Sequence, residues 1–122
     1  MRFTSGTERT GLALSALLGC AAMVLLFMPM SGMPSLRVSG IDKLVHFLMF
    51  FAIALPGLSV APRIWIWFVP LLIGYGGMIE LVQPSFGRGR EWADFAANSL
   101  GVITAIPVGR GIFSRWLQAR QL

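Results

Sequence analysis

Three pairs of polar residues interrupt an otherwise apolar chain, each at a helical spacing. Asp42 and His46 are four residues apart, Glu80 and Gln83 three, Asp94 and Asn98 four. Such spacings put both members of a pair on one face of a helix. An imidazole with neighbouring carboxylates has the makings of a general base and its orienting acid. On this reading His46 is the base, Asp42 or Glu80 orients it, and Asp94 completes the catalytic set. Arg88 and Arg90 stand between the last two pairs, and guanidinium forks suit phosphate or carboxylate groups. They are expected to contact a ligand, together with Lys43, Gln83 and Asn98. No nucleophile stands out: Ser99 lies deep in an apolar run and Ser85 in a loop. The sequence therefore leaves open whether a reaction is catalysed. His46, Asp42, Glu80 and Asp94 are acceptable ligands for a divalent ion. A single histidine makes a weak zinc set, however, and no metal or other cofactor is expected.

Each residue also has a plainer reading. Ser39 and Asp42 have the spacing of a capping box, which would make Asp42 a helix-starting residue. Asp94 falls in a first helical turn, where a carboxylate meets the helix dipole favourably and could pair with Arg90. Lys43 reads as a headgroup contact. Glu80 is the hardest to explain this way. It sits inside an apolar run, where a carboxylate costs about 2.5–3.5 kcal/mol on insertion scales.

The elements that must position these groups follow from composition. Of 122 residues, 56% are hydrophobic and only 12% charged, and the mean hydropathy is +0.74. Soluble domains carry about 25% charged residues. A bilayer core takes roughly 20 apolar residues per helix, so four spans would use about 80 residues. This excludes a soluble enzyme, a second domain and a repeat array. The expected spans are 10–28, 44–61, 64–82 and 93–108, in a single-domain, all-α, four-helix membrane bundle with short loops. Backbone in lipid must satisfy its own hydrogen bonds, which makes these runs helices and lets them keep Pro56, Pro70 and Pro107 as kinks. Proline and glycine punctuate the connections, and Trp65, Trp67 and Trp92 mark span ends. The residues after Cys20 stay apolar, so the first run reads as a retained span, not a cleaved signal. Gly11, Ser15 and Gly19 give it a smooth packing face.

The one cysteine, Cys20, excludes an intrachain disulfide. The net charge of +5 comes from basic residues scattered between apolar runs, which suits phospholipid headgroups and not nucleic acid. Arg2, Arg9, Arg63, Arg110, Arg115 and Arg120 fall on one side of the bilayer; Arg37, Lys43, Arg88 and Arg90 fall on the other. The positive-inside rule then puts both termini in the cytoplasm. Arg110 to Arg120, with Phe113, Trp116 and Leu117 at helical spacing, reads as a short basic amphipathic tail on the cytoplasmic leaflet. The start of span two, the end of span three and the start of span four share one side, so the three polar pairs converge there. Gly76, Gly101 and Ala105 continue their stripes and allow close approach.

The series Asp42-Lys43-x-x-His46-Phe47-x-x-Phe50, Glu80-x-x-Gln83 and Arg90-x-x-x-Asp94-x-x-x-Asn98-x-x-Gly101 resembles the VanZ-like family of small bacterial membrane proteins. The likeness runs from about Ile41 to Gly101 and covers three of the four spans. It implies a multi-pass protein of the bacterial inner membrane, in a family associated with lowered susceptibility to the glycopeptide teicoplanin. The carried-over positions are Asp42, Lys43, His46, Glu80, Gln83, Arg90, Asp94 and Asn98. Pro84 departs from the pattern and should end the third helix early.

Three functions compete at this level. The first is binding or modification of an anionic envelope component, such as a lipid-linked cell-wall precursor, at the outer leaflet. The second is a small proton-coupled transporter acting as a homodimer, with Glu80 carrying the proton. The third is a non-catalytic scaffold whose polar network only locks the bundle. Membrane lipids are the expected partners, and the oligomeric state is left open.

Overall fold

The computed structural model describes residues 6–28, 40–87 and 91–121. Four α-helices account for most of them: α1 (Gly6–Phe27), α2 (Ile41–Val60), α3 (Trp65–Val82) and α4 (Trp92–Arg120). Short 3₁₀ turns, Pro62–Ile64 and Gln83–Phe86, lead into α3 and out of it. All four segments are long and apolar enough to cross a membrane. Leu17, Val24, Ile66, Leu71 and Leu100 are each more than half exposed, and so apolar an outer surface fits lipid, not water. The chain is an all-α, multi-pass membrane bundle.

The first three helices lie within a few residues of the expected spans. The fourth differs. It runs without a break through Pro107 to Arg120, 29 residues in all, or about 43 Å at the α-helical rise. That exceeds the roughly 30 Å of hydrocarbon, so one end of α4 projects beyond the apolar layer. The basic tail is helical as expected, but it continues α4 instead of starting a separate element.

Small residues set the packing. Helices α2 and α4 run parallel and share the largest interface in the bundle. Gly101, Ala105 and Gly109, spaced four apart, are all buried in α4. A methyl group on Gly101 would collide with the Phe47 carbonyl oxygen, and one on Gly109 would lie 2.9 Å from the Leu58 carbonyl carbon. Helix α1 runs antiparallel to α2, with Gly11 against Val60 and the Pro56 carbonyl. Beside Pro56, which interrupts the hydrogen-bond ladder of α2, the Gly57 N–H donates to Ser15 Oγ at 3.0 Å. This is how a neighbouring helix keeps an intramembrane proline tolerable. The Tyr75 hydroxyl donates to the Gly19 carbonyl at 2.6 Å and joins α3 to α1. As expected, Pro84 stops α3 at Val82; the chain then makes one 3₁₀ turn and leaves it through Gly87 at φ 75°. Below the polar residues the interior is mainly apolar: Phe50, Ile53, Ala54, Leu58, Ile79, Val102 and Ala105 are fully or almost fully buried, with Ser15 the buried polar side chain among them.

Candidate functional site

The polar residues gather at the end of the bundle where α2 and α4 begin and α3 finishes. His46 lies one turn into α2, Glu80 in the last turn of α3, and Asp94 and Asn98 in the first two turns of α4. Their relative exposures are 3%, 0%, 7% and 0%, so water reaches almost none of them. The parallel contact of α2 with α4, made close by Gly101, brings His46 level with Asn98. The close approach of Gly76 in α3 to Asn98 and Phe50 brings Glu80 in from the third side.

The geometry gives the histidine a direction. His46 Nδ1 and Asn98 Oδ1 are 2.8 Å apart. An amide oxygen only accepts, so in this contact Nδ1 is the donor. Nε2 faces Asp94 Oδ2 at 3.5 Å. The residue that orients the ring is therefore Asn98, and neither Asp42 nor Glu80 has that part. Glu80 Oε2 accepts the Glu91 N–H at 3.3 Å, at the start of α4, while Glu80 Oε1 is buried with no hydrogen-bond partner among the described residues.

A second cluster forms the rim. Lys43 Nζ is 2.6 Å from Asp42 Oδ2 and 3.1 Å from Asp94 Oδ1, and it also pairs with Glu91 Oε2. Lys43, expected as a headgroup contact, is instead gathered in by three carboxylates. Asp42 joins this rim and not the histidine; among the described residues no side-chain cap starts α2, whose N-cap is Gly40, and Ser39 lies outside them. Asp94 has Lys43 and His46 as its neighbours. Gln83 is on the right element but makes a different contact: its Nε2 donates to the Leu26 carbonyl at 3.1 Å and ties down the end of α1. Ser99 Oγ is spent on the Phe95 carbonyl at 3.0 Å. Arg88 and Arg90 lie outside the described residues.

Glu91 was not singled out by spacing, yet it supplies a rim carboxylate through its side chain and holds Glu80 through its backbone. The signal available was its position three residues before Asp94, in a loop on the same side.

Two groups could hold a metal ion by proximity. The ligand atoms of His46, Glu80 and Asp94 lie within 4.8 Å of one another, as do those of Asp42, Glu91 and Asp94. The Lys43 ammonium already fills the second group. The first is buried throughout, and among the described residues Lys43 reaches its Asp94 alone.

Two other features frame the site. Between α1 and α3 lies a lateral apolar cavity of about 460 Å³, bordered by Met23, Trp67, Leu71 and Tyr75, a space that bilayer hydrocarbon can enter. At the opposite end of the bundle, Arg63 and Arg110 come together beside Trp65, with the Arg110 guanidinium 5.6 Å from the indole centroid.

Comparisons with family models, curated proteins and solved structures found no match to this chain.

Proposed function

We propose that this chain is a VanZ-like protein of the bacterial inner membrane. On this reading the His46–Glu80–Asp94–Asn98 pocket binds or modifies an anionic, lipid-linked component of the envelope at the outer leaflet. The observation that carries it is the state of Glu80, which is fully buried, has one carboxylate oxygen without a hydrogen-bond partner among the described residues, and is grouped with His46 and Asp94 within 4.8 Å. A network kept only to lock a bundle gains most when every member is satisfied, and this one presents unused acceptors at one membrane face. Arg88 and Arg90, in the loop joining α3 to α4, supply donors suited to phosphate. No carboxylate or histidine is buried beneath the site among the described residues, which argues against a proton path through the chain and so against the transporter. Outer-leaflet placement draws on the six arginines at the terminal side against the four basic residues at the site side; Arg63 and Arg110 do meet at the terminal side. The association of VanZ-like proteins with teicoplanin susceptibility fits a ligand among cell-wall precursors.

The test is profiling of lipids and lipid-linked cell-wall precursors in a deletion strain, complemented by wild type, His46→Ala or Glu80→Gln. Wild type should restore the profile, and both variants, at equal membrane abundance, should leave an anionic species displaced by several-fold. Restoration by both variants would refute the assignment of the pocket, and an unchanged profile on deletion would refute the ligand class.

A further inference from the structure

Four of the five acidic residues in the chain, Asp42, Glu80, Glu91 and Asp94, collect at this one end of the bundle. Among the described residues Lys43 is the one lysine or arginine within ion-pair distance of them, and it is shared by three. Glu80 is left with none. Burial of a carboxylate without a compensating charge is strongly unfavourable. Nearby, His46 Nε2 and Asp94 Oδ2 face each other at 3.5 Å, while the other ring nitrogen is held by Asn98 Oδ1 at 2.8 Å. One ligand atom each from His46, Glu80 and Asp94 thus lies within 4.8 Å of the others in a buried space, and Glu80 Oε1 has no hydrogen-bond partner among the described residues.

The geometry points to a binding site for one divalent transition-metal ion of the zinc type, held by His46 Nε2, Glu80 Oε1 and Asp94 Oδ2. Zinc bonds of about 2.0–2.2 Å at tetrahedral angles put ligand atoms roughly 3.4 Å apart, and the His46–Asp94 separation of 3.5 Å already meets that. The remaining ligand atoms lie within 4.8 Å and need only a side-chain adjustment. The imidazole selects against magnesium and calcium, which prefer oxygen throughout. Three protein ligands leave a fourth position open. The hydrogen bond from Nδ1 to an amide oxygen is the second contact that ligating histidines need, because it fixes the ring and its tautomer. The neighbouring Lys43 pairs with the other oxygen of Asp94, Oδ1, at 3.1 Å. Spacing alone argued against zinc because the chain has one histidine; the fold adds two buried carboxylates from two other helices. The ion follows from these positions alone. Its use, to meet a phosphate group together with Arg88 and Arg90, rests on the function proposed above.

The experiment uses the full chain in detergent, purified through a histidine-free tag, stripped with chelator and titrated with zinc chloride. Elemental analysis should find one zinc per chain. Glu80→Gln and His46→Gln should each lower retained zinc at least tenfold, and Asn98→Ala should weaken binding by about 10–100-fold. Asp42→Asn, confined to the rim, should leave the stoichiometry unchanged. Because His46 is the only histidine, ¹⁵N-histidine labelling reads the site in the unaltered protein. Zinc should move the Nε2 resonance and leave Nδ1 protonated. Several results overturn the site: less than about a tenth of a zinc per chain, retention unchanged in Glu80→Gln and His46→Gln, or an imidazole unmoved by zinc. Doubly protonated imidazole at neutral pH, indifferent to zinc, would assign the space to a proton. Binding of magnesium in preference to zinc would equally overturn it. All these readouts are lipid-free, so they fail or succeed apart from the precursor profile.

Discussion

His46 and Asn98 are joined by one hydrogen bond, 2.8 Å from Nδ1 to Oδ1, where neither side chain reaches water. Removing the acceptor leaves a buried N–H unpaired, which costs about 1–3 kcal/mol, whereas replacing both partners by apolar groups forfeits less. Asn98→Leu should therefore destabilise the bundle by about that amount. The double variant His46→Leu/Asn98→Leu should be less destabilised than the sum of its single variants by about 0.5–3 kcal/mol. Unfolding of detergent-solubilised protein across the four-member cycle reads this coupling, and strict additivity would show that the ring takes its partner elsewhere. At this scale the sequence was legible wherever one helix carried the information. The i,i+4 spacing of Asp94 and Asn98 put both on the stripe that meets His46. The fate of Lys43 was not legible, because its partners Glu91 and Asp94 lie about fifty residues away and nothing local fixes that distance.

Glycines and serine decide how near the helices come. Gly101 sits against the Phe47 carbonyl and Gly109 against Leu58, so a methyl group at either would push α4 off α2. Overpacking of this kind costs typically about 1–3 kcal/mol. Gly101→Ala and Gly109→Ala should each lower the unfolding midpoint, and Gly101→Ala should also loosen the His46–Asn98 contact three residues away on the same stripe. Gly74→Ala, with no heavy atom within 4 Å of the added carbon, is the control and should leave the midpoint unchanged or slightly raised. Equal effects at all three glycines would point to helix propensity, not helix contact. The small-residue stripe from Gly101 to Ala105 was visible in the sequence, as was the face with Gly11 and Ser15. Gly109 was not, since it falls just past the expected end of the fourth span. A hydropathy boundary marks where apolar sequence gives out, and a helix continues wherever its backbone hydrogen bonds do.

For the molecule as a whole, everything at the site depends on α2 and α4 pointing the same way and α3 the other. The alternation of four spans implies this, and the structure realises it: Leu58 meets Gly109 at one end, and His46 meets Asn98 toward the other. In the membrane this arrangement has a direct consequence. With the native Cys20 replaced by alanine, single cysteines at Ile41 and Ser85 should share one compartment, and those at Arg63 and Gln121 the other; all four positions are exposed in the native chain. With the orientation proposed above, an impermeant maleimide added to intact cells whose outer membrane admits it should label Ile41→Cys and Ser85→Cys. Arg63→Cys and Gln121→Cys should react only after the inner membrane is opened. Reversal of the two sets would keep the bundle and move the pocket to the cytoplasmic face, where an outer-leaflet ligand is out of reach. Labelling of Ile41→Cys and Ser85→Cys from opposite sides would separate His46 from Glu80 by the thickness of the bilayer, and no shared pocket would survive it.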